Sequence, residues 1–266
     1  MYHHIKILRL RSNMEEFFEA MIQISIKNKI FRDVLETILP IREETILKFT
    51  KESLSSRITD YGNVALVDVS IPNELFNDYL LDENVEIGLN AKNLLLYTKL
   101  GSPEDNIKIE ITDRFKILLS NFEIDMDILD PTYMTSVSKL PNEFECKCLV
   151  SVEEIRKIAR AANQIRNDTL IFELDNLHEN LTISTESEEE SIKVETYVID
   201  TLNKKSTHNL KSAYPVDFIL SITNTLYNLG IQELGMGFGN DFPMQLSSPL
   251  HETGKVVYYI APRVTD

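Results

Sequence analysis

Two hydrophobic periodicities alternate along this chain. In the first stretch Ile30, Val34 and Ile38 recur at helical spacing and Phe31 and Leu35 widen the apolar stripe, so a helix is expected over about residues 30–39. Runs of apolar and β-branched residues follow at 46–50, 54–59 and 64–71, with turn-prone groups such as Asp60-Tyr61-Gly62-Asn63 between them. These read as strands. A short strand at 85–88 leads into a second helix at about 91–100, which Gly101-Ser102-Pro103 stops. Residues 107–111 and 115–119, separated by Thr112-Asp113-Arg114, form a hairpin.

The plan then starts again. A strand at 143–150 runs into Ser151, an N-cap residue with Glu154 three positions on, and a helix continues to about residue 162. Strands are expected near 169–174, 181–185 and 192–198, then a helix opened by Pro215 and ended near Gly230. Three closing strands lie near 234–238, 243–247 and 256–260. An offset of 124 residues relates the two halves, since Ile41-Arg42-Glu43-Glu44-Thr45-Ile46-Leu47 falls on Ile165-Arg166-Asn167-Asp168-Thr169-Leu170-Ile171 without a gap. One unit is used twice, with the acidic and apolar stretch 121–137 as the link. The expected fold class is α+β, with two tandem repeats that each pack two helices on antiparallel sheets. The expected divisions are an N-terminal extension 1–20, a first domain 21–123, a connector 124–137 and a second domain 138–266.

Charge narrows the function. A formal net charge of -15 over 266 residues repels a polyanion in bulk, so any nucleic-acid contact must use segregated charge. Cys146 and Cys148 are the two cysteines, spaced to share one side of a strand. They point to a reduced, cytoplasmic protein, and the five histidines show no metal-ligand spacing, so neither metal nor cofactor is expected. No apolar run reaches a membrane span. No Gly-rich phosphate loop, His-x-x-x-His pair or nucleophile triad stands out, and no catalysis is expected. The extension 1–20, basic and then acidic, is open to three readings: a start codon placed too early, a tail, or an added contact.

Four segments carry a resemblance to a known family: Arg57-Ile58-Thr59-Asp60-Tyr61-Gly62-Asn63-Val64-Ala65-Leu66-Val67, residues 72–79 with Phe76 and Tyr79, Gly239-Asn240-Asp241-Phe242-Pro243-Met244, and Val256-Val257-Tyr258-Tyr259-Ile260-Ala261-Pro262-Arg263-Val264. Together with the repeat they resemble the proliferating cell nuclear antigen (PCNA) family over about residues 21–264. The resemblance implies a DNA-clamp fold in a homotrimeric ring, helices lining the hole and sheets outside. It implies a sliding clamp that encircles duplex DNA, is placed there by a clamp loader, and tethers DNA polymerase, flap endonuclease and DNA ligase. The family's cytoplasmic location would be at the nucleoid, or nuclear in a eukaryote.

The resemblance also assigns residues. Arg32, Lys92, Lys99, Arg156, Lys157 and Arg160 would face DNA; a solvated face balanced by Glu153 and Glu154 is the plainer reading of the last three. The fourth helix has no Lys or Arg, and Asn224 stands where family members often carry a basic residue. Edge strands would join subunits, matched to Phe115, Ile117 and Leu119 on one side and Ile192, Val194 and Val198 on the other, unless both are ordinary internal strands. Ile128, Leu129, Tyr133 and Met134 of the connector, with Val64, Pro243, Ala261, Pro262 and Val264, would bind partner peptides or would pin the connector to the sheets. A clamp-fold interaction scaffold that does not itself encircle DNA, alone or as one subunit of a heterotrimer, is the alternative the acidic charge keeps open.

Overall fold

The computed structural model describes residues 22–134, 139–175, 180–186, 191–198, 200–204 and 208–264. The first half runs β1 (Ile22–Lys27), α1 (Asn28–Ile38), β2 (Glu44–Phe49), β3 (Ser53–Thr59), β4 (Ala65–Pro72), β5 (Phe76–Leu81), β6 (Val85–Asn90), α2 (Ala91–Thr98), β7 (Asn106–Ile111), β8 (Phe115–Leu119) and β9 (Phe122–Met126). The second half runs β10 (Cys146–Ser151), α3 (Val152–Gln164), β11 (Thr169–Asp175), β12 (Asn180–Glu186), β13 (Ser191–Tyr197), β14 (Asp200–Lys204), β15 (Leu210–Pro215), α4 (Val216–Asn228), β16 (Glu233–Phe238), β17 (Met244–Leu250) and β18 (Gly254–Ile260). The halves correspond element for element, and β10 follows β1 by the same 124 residues that the sequence repeats.

Sheet topology repeats as well. The orders β5-β1-β7-β8-β9 and β14-β10-β16-β17-β18 are equivalent, as are β4-β3-β2-β6 and β13-β12-β11-β15. Within the chain β18 pairs with β4 over six residues, from Lys255 opposite Ser70 to Ile260 opposite Ala65, and fuses two of these sheets into one of nine strands that spans both halves. Tyr258 lies buried at this joint and donates its hydroxyl to the Thr37 carbonyl of α1 at 2.7 Å. Burial pushes that phenol well above its ordinary pKa, so it stays a neutral donor.

The helices cap one side of the sheets by burying their apolar stripes. Phe31, Val34, Leu35 and Ile38 of α1 and Ile155, Ile158, Ala159 and Ala162 of α3 are buried, as the 3.6-residue spacing requires. Ser151 caps α3, its Oγ accepting from the Glu154 amide at 3.4 Å, and Asn90 caps α2. Helix pairs α1–α2, α3–α4 and α1–α4 touch, so the four form a row in the order α2, α1, α4, α3.

Five strands join those set out above: β1, β5, β9, β14 and β15. The strand β9 changes the site, because it occupies residues assigned to the connector and continues to Met126. Its Glu123 and Asp125 give it the polarity of a link, while Phe122, Ile124 and Met126 keep the strand period of two.

Candidate functional site

The proposed subunit joint requires one correction. Phe115, Ile117 and Leu119 are fully buried, and their strand β8 is paired on both sides, with β7 and with β9. Alternating apolar residues mark a face turned to the core; they carry no information about whether the strand's edges are free. The free edge is one strand further on, at β9. On the other side β13 does end its sheet, and Ile192, Val194 and Val198 are half-buried against the core.

Beside β9 lies an apolar surface that the motif comparison did not single out. Phe122 is 40% exposed, and Leu96, Tyr97 and Leu100 stand out from α2 at the end of the helix row. Gly101 ties the two together: a Cβ there would lie 2.7 Å from the Leu119 side chain, so the turn after α2 rests directly on β8. The signal was legible, since α2 buries Leu94 and Leu95 and yet offers a second apolar face, as a helix does when something else covers it.

The six cations chosen for DNA all sit on or beside α1, α2 and α3, and most are already engaged. Lys92 pairs with Glu43 at 2.6 Å and Lys157 with Glu153 at 2.9 Å. The Arg156 guanidinium stacks 3.6 Å from the centre of the Tyr227 ring. Arg160 donates to Asn224 Oδ1 at 3.3 Å, so the residue standing in for a base on α4 is instead an acceptor for α3. Lys99 is exposed at the C-terminal end of α2 with no ion pair among the described residues, and Arg32 is half-buried on α1.

The partner residues fall into two groups. Asp60 folds the 60–65 turn by accepting from the amides of Gly62, Val64 and Ala65, each at 2.7 Å, and the Ala261 amide then donates to the Val64 carbonyl at 2.8 Å. Val64, Ala261 and Pro262 are thereby brought together, with Val64 exposed, Pro243 and Pro262 half-buried and Val264 fully exposed. The tail is held further by the Arg263 amide on the Ala213 carbonyl at 2.8 Å and by Arg263 to Asp168 at 2.7 Å. Hydrogen bonds from Thr169 and then Arg263 hold the Asp168 carboxyl below its usual range.

The connector group sits across the sheet. Leu129 exchanges backbone hydrogen bonds with Gly88 of β6 at 2.8 and 3.1 Å, and a Cβ on Gly88 would meet the Leu129 carbonyl at 2.6 Å and Met134 Cε at 2.9 Å. Met134 is buried there and pins the connector, whereas Tyr133 is 84% exposed. Ile128 and Leu129 are half-buried. Leu129 lies one strand spacing outside β6, and only β2 and β3 lie between β6 and β4, so roughly 19 Å separates the two groups, wide enough for one helical turn. Residues 135–138, which include the end of the predicted connector, lie outside the described residues.

Among the described residues no three His, Cys, Asp or Glu side chains come together as metal ligands, and Cys146 and Cys148 are buried and form no disulfide. Among the described residues no helix is long and apolar enough to cross a membrane.

Comparison with known proteins gives this architecture a family. The sequence profile of the proliferating cell nuclear antigen N-terminal domain matches residues 17–140. A "DNA polymerase sliding clamp" of Thermococcus onnurineus is 25% identical over 250 residues, which span 90% of this chain and 96% of that protein. Over residues 17–140 the chain matches the PCNA family. Solved PCNA structures share its fold: Archaeoglobus fulgidus PCNA bound to the C-terminal region of FEN-1, at a TM-score of 0.79 and 23% identity over 92% of this chain and all of that one, and Thermococcus kodakaraensis PCNA, at 0.80 and 22% over 91% of this chain and all of that one. The profile match begins four residues before the expected start of the first domain, and residues 1–16 precede it.

Proposed function

We propose that this chain is a sliding clamp: a non-catalytic subunit that closes with two further copies into a ring around duplex DNA and tethers polymerase and other replication enzymes. One observation carries the ring. The element-for-element repeat makes β4 equivalent to β13 and β18 equivalent to β9. Inside the chain β18 pairs with β4, whereas the equivalent strands, β9 and β13, each lie at the edge of their sheet. Joining β9 of one copy to β13 of the next repeats the internal joint, and a head-to-tail contact of unlike surfaces that repeats one rotation closes into a ring. The same equivalence maps the internal contact of α1 with α4 onto α3 with the next copy's α2, where it covers Leu96, Tyr97 and Leu100.

DNA would pass along the helix row, held loosely through phosphates by Lys99, Arg32 and whichever of Lys92, Arg156, Lys157 and Arg160 exchange their internal partners for phosphate. Clients would lay a short helical turn across β2 and β3, between the connector and the Val64–Ala261 contact, with aliphatic and aromatic anchors in a Gln-x-x-aliphatic-x-x-aromatic-aromatic pattern. The A. fulgidus relative holds a FEN-1 segment, which supports a peptide-binding role. A flap endonuclease, a DNA ligase and a clamp loader are the clients proposed here.

The internal pairing of Lys92 and Lys157 favours a second reading, a clamp-fold scaffold or one member of a heterotrimer, with little hold on DNA. Light scattering on the purified chain separates these. A homotrimer gives a mass near three times 30.6 kDa. A single-chain mass at all concentrations removes the homotrimer.

A further inference from the structure

A large exposed tyrosine stands beside the client surface without a part in the reading above. Tyr61 is 74% exposed, yet its backbone is fixed by the same turn that presents Val64. Beyond the amides that its carboxylate accepts, Asp60 donates its own amide to the Ala65 carbonyl at 3.0 Å. Asn63 takes a φ of 55°, and its Oδ1 accepts from the Thr59 hydroxyl at 3.2 Å. The ring is pinned as well. Its centre lies 4.1 Å from the guanidinium of Arg42, a residue only 8% exposed whose Nε has no hydrogen-bond partner among the described residues. The Tyr61 hydroxyl donates to Glu44 Oε2 at 3.5 Å. One face of the ring is therefore taken by Arg42, and the other is left to solvent.

The strand register places this ring on the client side of the sheet. Thr45 and Leu47 of β2 are fully buried toward the core, so Glu44 and Ile46 share the outer face. Glu44 pairs with Asn90 of β6, and Ile46 with Gly88, over which Leu129 and Met134 of the connector lie. Tyr61 thus crosses the end of β3 to the head of β2, about 7 Å along that strand from the connector contact. There it walls one end of the floor on which a client turn would rest.

We propose that Tyr61 is a specificity-determining residue for client binding, packing its open face against a residue that flanks the bound helical turn and favouring an apolar side chain there over a cationic one. This rests on the client surface proposed above. A rigid aromatic side chain gives contact area at little cost in conformational entropy, and a leucine laid on it gains apolar burial. A client lysine in the same place would meet the Arg42 charge through the thickness of the ring, whose π-electrons Arg42 already engages. The carboxylate that could offset this repulsion, Glu44, is itself paired with Arg42 at 3.3 Å. A lid that only shields Arg42 would use the inner face alone.

Calorimetry on the full chain with two peptides tests it. Both carry the Gln-x-x-aliphatic-x-x-aromatic-aromatic pattern, and they differ in having leucine or lysine at the positions flanking it on each side. The readout is the ratio of the two affinities, compared between chains, which cancels the general pull of an acidic protein on a cationic peptide. The preference for leucine should be about tenfold greater in the unaltered chain than in Tyr61→Ala. Tyr61→Phe, which keeps the ring and loses only the long hydrogen bond to Glu44, should retain it. The same ratio in Tyr61→Ala as in the unaltered chain overturns the inference, even where the variant melts earlier as the loss of a mere lid would make it. Loss of the preference in Tyr61→Phe overturns the ring contact in favour of the hydroxyl. If neither peptide binds the unaltered chain, the client surface itself is wrong and this inference falls with it.

Discussion

Phe122→Asp should break the ring and leave the subunit folded. Phe122 opens β9 and is 40% exposed in the single chain, so the fold depends on it less than on the fully buried Phe115, Ile117 and Leu119 of β8. Complete burial of a phenylalanine contributes about 1.5–3 kcal/mol, so covering the remaining two fifths contributes roughly 1 kcal/mol to the joint. Aspartate forfeits that and must be desolvated beside Glu123 and Asp125, where the nearby cation Lys116 is already taken by Glu123 at 2.9 Å. An unpaired buried carboxylate adds about 2–3 kcal/mol even after partial relaxation. The sum, about 3–4 kcal/mol per joint, weakens each contact by a few hundred-fold. Sedimentation velocity from 0.1 to 10 μM, concentrations chosen on the order of a weakened joint's Kd, reads the outcome. The unaltered chain should run near 92 kDa, about three chain masses, and the variant as single chains of 30.6 kDa that keep a folded circular-dichroism spectrum and melt cooperatively, at a lower temperature than the ring. A folded variant that stays at ring mass at 1 μM, roughly where such a loss must show, would remove β9 from the joint.

Other outcomes follow from the same contacts. Lys99→Glu should lower DNA retention and its salt dependence more than Lys157→Glu, because Glu153 already neutralises Lys157; retention across a salt series measures both. Met134→Ala should cost about 2–3 kcal/mol in urea unfolding by emptying the site over Gly88, whereas Tyr133→Ala should leave stability alone and weaken a client peptide in calorimetry. Tyr258→Phe should cost about 1 kcal/mol, since it removes one buried hydrogen bond between the halves. The Asp168 carboxyl is held low in the folded chain, so its contribution is complete above the ordinary value of 3.8 and is lost as the pH falls through the folded pKa; the Arg263 amide should lose protection in acid, and Asp168→Asn should remove that pH dependence.

The repeat was the most legible feature of the sequence, because α1 and α3 bury equivalent stripes and β1 and β10 keep the 124-residue offset through both sheets. Edges were not legible. The apolar alternation of Phe115, Ile117 and Leu119 reports which face of β8 is buried, and only the pairing of β9 outside it shows where the sheet ends. Residues of one motif also separated once folded. Tyr133 and Met134 are neighbours in the connector, yet a glycine at position 88 admits Met134 to the sheet and leaves Tyr133 in solvent. The charge pattern put the cations on or beside α1, α2 and α3 but could not show that Glu43, Glu153, Tyr227 and Asn224 would engage four of the six.

Encirclement itself is tested most directly by topology. The chain, loaded on a nicked circular plasmid and passed through a sizing column in high salt, should stay with the circle, because a closed ring needs no strong contact to remain threaded. After one restriction cut it should slide off the ends within the time of the run. Retention that is equal on circular and linear DNA, or absent from both although the loader is active, would contradict a ring around the duplex.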